Sequence, residues 1–386
     1  MAKLGDIFVK QIVGEWGNEC NNERNGVFVL RTTNFTNSGV INYDKVVKRD
    51  IPDTKVEEKK LKYGDIILEK SGGTDKTPVG RVVFCDNKIE SDVYLCNNFT
   101  QAMRVDNSIA IPKYVFYLMY YFHQIGITDL LQSKTTGIRN LRLRDYLNTD
   151  IKLPNLAEQE HCVIYLDKLT VLISLRQQQL EKLDELVKSR FIEMFGDCKD
   201  TIALNDLCSI ITDGTHQPPK FQKEGIPFIF VSNLSDNKVT YKTEKFISEE
   251  TYNQLYERTP IQYGDILLST VGSYGHPAVV VDKRKFLFQR HIAYLKPKSD
   301  LVNSFFLHSA ILAPDGQRQI EERVKGIAQK TLNLSEIRKI RIPIPSIEEQ
   351  NAFEDFIKQT DKSKVAVQAS ITKCHYLTKK GVNTHA

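Results

Sequence analysis

Two stretches of this chain carry apolar side chains at alternating steps of three and four residues. In the first, Leu166, Leu169, Ile173, Leu180, Leu183, Val187 and Met194 keep the beat, with Arg176 and Arg190 on two of its positions. In the second it is kept by Phe353, Ile357, Thr360, Lys364, Val367, Ile371 and Cys374. A seam sustained over about four or five heptads predicts a long helix packed on another helix. Each stretch follows a proline and an acidic first turn, and Gly196-Asp197 supplies a stop for the first. At about 1.5 Å per residue, Glu158 to Phe195 would run roughly 55 Å. Ahead of each helix the pattern shortens into β segments broken by Gly, Asn, Asp and Pro: VFVLRTTNF, DIILEK and VGRVVFC in one half, IPFIFVSNL, DILLST, PAVVV and KFLFQ in the other.

The halves are copies of one plan. Tyr63-Gly64-Asp65-Ile66-Ile67-Leu68 returns as Tyr263-Gly264-Asp265-Ile266-Leu267-Leu268, 200 residues later, with Gly72 and Gly272 following at the same distance. Leu4-Gly5-Asp6-Ile7 is echoed by Leu204-Asn205-Asp206-Leu207, and Thr33-Asn34-Phe35 by Ser232-Asn233-Leu234. Pro154 and Glu158-Gln159 answer Pro345 and Glu349-Gln350, at an offset of 191. A repeat of this kind fixes architecture before any local assignment. The expected fold is α/β (α+β): two similar, mainly β domains at 1–153 and 198–344, and two long helices at 154–197 and 345–386. The helices are expected to form an antiparallel coiled-coil pair related by a pseudo-two-fold and to hold the domains apart.

Composition narrows the class. The 386 residues have 26% charged and 41% hydrophobic side chains, with 20 Gly and 13 Pro, which describes a globular chain of two or three domains. No apolar run approaches the roughly 18 residues of a membrane span, and Met1 to Lys10 shows no apolar block with a cleavage site. The expected compartment is the cytoplasm. Seven scattered cysteines without a C-x-x-C pair signal neither a disulfide framework nor a zinc cluster, and no histidine pairing suggests another metal. A net charge of +5 tolerates a polyanionic partner without demanding one.

Two non-identical modules on a rigid spacer suit a long ligand with two separated features, and duplex DNA is such a ligand. The loops carry suitable chemistry. Lys70, Ser71, Gly72, Thr74 and Lys76 follow the repeated strand in the first half. Thr270, Ser273, Tyr274 and His276 follow it in the second. Glycine permits close backbone approach, and hydroxyl and basic groups donate to phosphates or base edges. Asp213, Gly214, Thr215, His216, Thr33, Asn34, Ser232 and Asn233 add amides, hydroxyls and an imidazole. Lys134, Arg139, Arg142 and Arg144 form a basic cluster, and Arg290, Lys325 and Lys330 add cations in the second half. Against these stand plain turns and a solvated surface.

The chain resembles the DNA-specificity subunits of type I restriction–modification systems. The resemblance rests on the doubled Y-G-D-I strand, Asp213 to Pro219 (DGTHQPP), Asn140-Leu141-Arg142-Leu143 with Thr331-Leu332-Asn333-Leu334, and Leu153 to Gln159 with Ile344 to Gln350. It covers essentially the whole chain. It implies two target-recognition domains reading halves of a split, asymmetric DNA sequence, with the helices setting the spacer. It implies double-stranded DNA, two adenine-methylating modification subunits and restriction subunits as partners, no membrane, and no catalytic residue or cofactor in this chain. S-adenosylmethionine, ATP and Mg are expected in the partners. The first half departs from the pattern, carrying Gly14-Glu15-Trp16-Gly17-Asn18 where the second has Asp213-Gly214-Thr215-His216.

Other readings are a specificity module serving a different methyltransferase or nuclease assembly, and a coiled-coil protein adaptor. Asp53 with Glu57-Glu58-Lys59 imitates a nuclease motif, yet three residues between the acids are too few for adjacent strands of a catalytic hairpin. Ser71 to Thr77 imitates a phosphate loop, but Asp75 replaces its glycine and Pro78 opposes the helix that should follow. No N-P-P-[YF] segment is present to hold a flipped adenine.

Overall fold

The computed structural model describes residues 2–20, 26–74, 77–135, 137–326 and 329–383. They gather in two units: Met1–Arg176 with Ala369–Ala386, and Gln177–Gln368. Elements that carry the argument are labelled; shorter ones are named by residue.

The first unit contains β1 (Phe8–Val13), β2 (Val27–Leu30), β3 (Ile66–Glu69), β4 (Val82–Phe84), β5 (Tyr94–Cys96), β6 (Thr100–Val105), α1 (Pro112–Gln124) and the start of α2 (Leu156–Phe195). Strands β1, β6, β3 and β4 form an antiparallel sheet in that order, with Ala102 opposite both Ile12 and Ile67. Successive side chains of a strand point to opposite faces, and here both faces are buried. Ile66, Leu68, Val82, Phe84 and Met103 pack with Tyr114, Val115 and Leu118 of α1, while Ile67, Val83 and Ala102 pack with Leu30, Phe35 and Ile41. That explains the unbroken apolar runs of β3 and β4. On the second face β2 pairs in parallel with β5 and antiparallel with Val47–Asp50.

The second unit repeats this plan with β7 (Cys208–Asp213), β8 (Ile226–Ile229), β9 (Ile266–Ser269), β10 (Pro277–Val279), β11 (Leu287–Phe288), β12 (Ile292–Pro297), α3 (Ser304–Leu312) and α4 (Ile347–Asn383). Its sheet runs β7, β12, β9, β10, and β8 pairs in parallel with β11. Ile266 and Leu268 enter one core with Phe306 and Leu307, whereas Leu267 enters the other with Ile229 and Phe288. In both units the second apolar segment stops early. VFVLRTTNF is a strand only to Leu30, after which Thr32–Asn34 makes a 3-10 turn, and IPFIFVSNL yields Ile229 and then the turn Val231–Leu234.

The repeated Y-G-D-I turn is built for folding. Gly64 and Gly264 sit at φ +86° and +88°, a left-handed conformation that favours glycine. Asp65 accepts the N–H of Lys62 at 2.8 Å and pairs with Arg104 of β6 at 2.7 Å. Asp265 accepts from Gln262 at 2.8 Å, from the Tyr294 hydroxyl at 2.9 Å and from Lys296 at 3.3 Å. Burial raises the pKa of Asp265 above its ordinary value.

Capping boxes open both long helices: Asn155 with Glu158 at 3.0 and 3.2 Å, and Ser346 with Glu349 at 3.0 and 3.3 Å. In the first unit Cys162, Leu166 and Leu169, near the start of α2, share a core with Cys374, near the end of α4. In the second, Phe191 and Phe195, at the end of α2, share a core with Phe353, near the start of α4. The helices therefore run antiparallel. Along the seam Leu166, Leu169, Phe353, Val367 and Ile371 are buried, whereas Ile173, Leu180, Leu183, Val187 and Ile357 are only half-buried. Lys364, on the seam, pairs with Asp184 at 2.7 Å.

Candidate nucleic-acid interface

In the second unit, backbone hydrogen bonds knit four segments into one surface beyond the strand ends. Gly214 N–H donates to the Ile292 carbonyl at 3.2 Å, Thr215 N–H to Phe288 at 2.9 Å, and Arg290 N–H back to Thr215 at 3.1 Å. Thr270 N–H donates to the His291 carbonyl at 3.0 Å, and Leu332 N–H to Thr270 at 2.8 Å. Val271 and Lys325 each bridge to Thr331. The turn after β7, the β11–β12 turn, the loop after β9, and Lys325 with Lys330 to Leu332 thus meet. This surface exposes His216, Gly272, Ser273, Arg290, Lys325 and Lys330, with Thr215 and Tyr274 half-buried. The Lys330 ammonium lies 6.0 Å from the centre of the Tyr274 ring. Asp213 holds His216 at 2.8 Å and Arg258 at 2.7 Å, which spends both carboxylate oxygens on orienting two neighbours.

The first unit repeats the stitching without the same letters. Glu15 N–H donates to Cys96 at 2.8 Å, Lys70 N–H to Phe99 at 3.0 Å, and Leu141 N–H to Lys70 at 2.8 Å. A Cβ on Gly14 would lie 1.8 Å from the Asn97 carbonyl oxygen, and one on Gly214 would lie 2.3 Å from that of Phe288. Gly14 is therefore the counterpart of Gly214, although the sequence around it lacks the D-G-T-H pattern. Here Ser71–Gly73 is a strand that pairs with Ile138–Leu141, itself paired with Gln132–Thr135. Ser71 donates to Asn140, Gly72 and Thr74 are exposed, and Lys70 and Arg139 are half-buried. Burial lowers the pKa of Lys70. Arg142 pairs with Asp145 at 3.0 Å. Lys76 and the side chain of Lys134 lie outside the described residues.

Four candidate residues are committed to the fold. Asn34 is buried: its Oδ1 accepts from Arg31 N–H at 2.9 Å and its amide donates to the Asn42 and Asp44 carbonyls at 3.0 and 3.4 Å. Asn233 repeats this with Phe230 at 2.9 Å, Thr240 at 2.9 Å and Lys242 at 3.0 Å. Gly214 is required by close packing, and Thr270 is buried behind the loop. Their neighbours Thr33 and Ser232 are exposed. His276 is half-buried, with Nδ1 3.0 Å from Asn237 Oδ1.

Several residues of this surface escaped sequence reasoning. Phe99 is 44% exposed at the position that His291 takes in the second unit. Arg49 stacks on Trp16 at 4.5 Å and donates to the Trp16 and Gly17 carbonyls. Glu15 is clamped by Lys59 at 2.7 Å and Lys55 at 3.2 Å. Lys59 belongs to the helix Asp53–Lys59, so Asp53 and Glu57 share one helix rather than facing strands. Among the described residues no His, Cys, Asp and Glu group could hold a metal ion, and no helix is long and apolar enough to cross a membrane.

The sequence model of the type I restriction modification DNA specificity domain matches residues 1–185 and again 198–373. The chain belongs to that family. It is 25% identical over 299 residues to the type I restriction enzyme EcoBI specificity subunit of Escherichia coli, a match covering 67% of this chain and 63% of that protein. It is 22% identical over 270 residues to the MjaVIII specificity subunit of Methanocaldococcus jannaschii, covering 63% of each. The matches therefore span less than two thirds of these relatives' length. Among solved structures, the type I restriction–modification S subunit from M. genitalium aligns over 99% of this chain and 94% of its own, at 13% identity and a TM-score of 0.51. A chain from "Structural basis underlying complex assembly and conformational transition of the type I R-M system" aligns over 100% and 96%, at 17% identity and a TM-score of 0.60. These two share the fold.

Proposed function

We propose that this chain is the DNA sequence-recognition subunit of a type I restriction–modification complex. Each unit reads one half of a split, asymmetric target, and the two long helices fix the number of unread base pairs between the halves. Methyl transfer and cleavage belong to partner subunits: two adenine-modifying subunits and the restriction subunits, which bring S-adenosylmethionine, ATP and Mg and work with this chain in the cytoplasm. The observation that carries the reading is one loop surface built twice on the same hydrogen-bonded frame with different exposed side chains: Arg290, His216, Lys325 and Lys330 in one unit, Asn98, Phe99 and Thr74 in the other. A conserved frame with divergent tips suits two modules that read different sequences.

Phosphate contacts from the lysines would supply affinity that falls with salt, and base-edge contacts would supply specificity. The test is to express the chain with its modification subunits and map methylated adenines across a genome. A bipartite motif with a fixed gap is expected. A contiguous motif, or none, would overturn the reading and favour a single-site reader or a protein adaptor.

A further inference from the structure

Within the surface of the second unit, the β11–β12 turn presents one cation on an unusually firm base. Arg290 is exposed, and no carboxylate pairs with it among the described residues. Its backbone is fixed on both sides, by its own N–H on Thr215 at 3.1 Å and by the His291 carbonyl accepting from Thr270 at 3.0 Å. The guanidinium is held as well, because Nε lies 3.3 Å from His291 Nε2. Nε–H donates, so His291 accepts at Nε2 and is neutral, its pKa lowered by burial and by the Arg290 charge. That bond uses the one inner N–H and leaves the terminal amino groups without a hydrogen-bond partner among the described residues.

Paired terminal donors on a rigid base match the O6 and N7 acceptors that guanine alone presents side by side in the major groove. Lys325 and Lys330, on the segment that joins the loop after β9, are exposed too and add cations to the same surface. The corresponding turn of the first unit is Asn98-Phe99, whose Phe99 carbonyl accepts from Lys70 at 3.0 Å just as His291 accepts from Thr270. It carries no charged side chain. Arg290 thus has the exposed, uncharged Asn98 as its counterpart, and His291 has Phe99.

Resting on the recognition reading above, we propose that Arg290 is a specificity-determining residue that reads a guanine in the major groove, within the half-site served by the second unit. His291 is its positioning residue.

The experiment uses the full chain with its modification subunits and maps methylated motifs for wild type, Arg290→Ala and Arg290→Gln. Wild type gives a split motif with a guanine in the half-site of the second unit. Arg290→Ala relaxes that position alone, with discrimination falling roughly 10- to 100-fold, and leaves the other half intact. Arg290→Gln moves the preference toward adenine, because a carboxamide matches adenine N6 and N7. Replacing that guanine by 7-deazaguanine in a synthetic target, which removes N7 and keeps O6, shrinks the affinity difference between wild type and Arg290→Ala. A split motif that Arg290→Ala leaves unchanged overturns the inference while sparing the recognition reading. So does uniform weakening on all sequences with a salt slope lower by about one, the signature of a phosphate contact. No split motif from wild type overturns both.

Discussion

Gln159 reaches from the first turns of α2 to accept the backbone N–H of Ile111 at 2.8 Å, while its amide donates to the carbonyls of Ile109 at 3.3 Å and Pro154 at 2.9 Å. Gln350 makes the same three bonds with Asn303, Leu301 and Pro345 at 2.8, 3.3 and 3.0 Å. Both side chains are fully buried. Each long helix is thus bolted to its own domain just before α1 or α3 begins. These glutamines fix each helix to its domain, as the proposed spacer role requires.

Replacing Gln159 by Leu strands one N–H and two carbonyls in the interior. A buried group left unsatisfied costs about 1–3 kcal/mol, so Gln159→Leu or Gln350→Leu should each lower stability by about 3 kcal/mol. Urea unfolding of the full chain should show a lower midpoint with unchanged slope. An unaltered midpoint would mean that the bolts carry no load.

The asparagines of the 3-10 turns separate stability from recognition. Asn34→Ala and Asn233→Ala should each lose about 2 kcal/mol, because carbonyls of the loop beyond are left unpaired. Thr33→Ala and Ser232→Ala, on exposed neighbours, should change stability by less than about 0.5 kcal/mol. The methylation motif of folded Asn34→Ala should match wild type. A changed motif with undiminished stability would return Asn34 to the reading surface.

What was legible in the sequence follows from which constraints are local. The Y-G-D-I turn repeats because a left-handed glycine and a buried aspartate satisfy needs within a few residues of themselves. The long helices were visible through their period and their caps. The reading surface was harder, because polarity marks both a base reader and a buried turn-former, and the partners that spend Asn34 lie eight and ten residues on. Asp213 with Arg258, 45 residues apart, leaves no local signal. Gly14 was hidden for the opposite reason: only the missing room beside Asn97 shows that glycine is compulsory there, and that requirement fixes none of its neighbours.

The seam between the long helices is strongest where it joins a domain. Phe353 is fully buried, its ring 5.5 Å from Phe191 and 5.6 Å from Phe195. Phe353→Ala should cost about 3–5 kcal/mol, as expected for truncating a packed aromatic. Leu183, half-buried mid-helix, should cost less than about 2 kcal/mol as Ala, in keeping with the smaller apolar area it hides. Leu183→Asp would test the pairing itself, since a carboxylate on the seam should separate the helices. Thermal denaturation checks the order, and equal losses for Phe353→Ala and Leu183→Ala would refute it.

Glu15 gives a pH dependence with a defined sign. The Lys59 hydrogen bond is the main cause of a pKa below the ordinary 4.5, opposed by burial and helped by Lys55. Because the folded value is depressed, the folded chain binds fewer protons than the unfolded chain between the two values, and stability rises with pH across that window. The contribution is whole above about pH 4.5 and is lost as pH falls through the folded value. Lys55 is 49% exposed and Lys59 18%, so solvent screening keeps the gain below about 1 kcal/mol. Glu15→Gln should therefore be slightly less stable than wild type at pH 7 and converge with it in acid. Taking the difference between the two proteins cancels groups common to both, including Asp265, whose raised pKa acts in the opposite direction. Urea midpoints measured from pH 3 to pH 7 decide the matter: curves that stay parallel would mean the two lysines do not hold this carboxylate in solution.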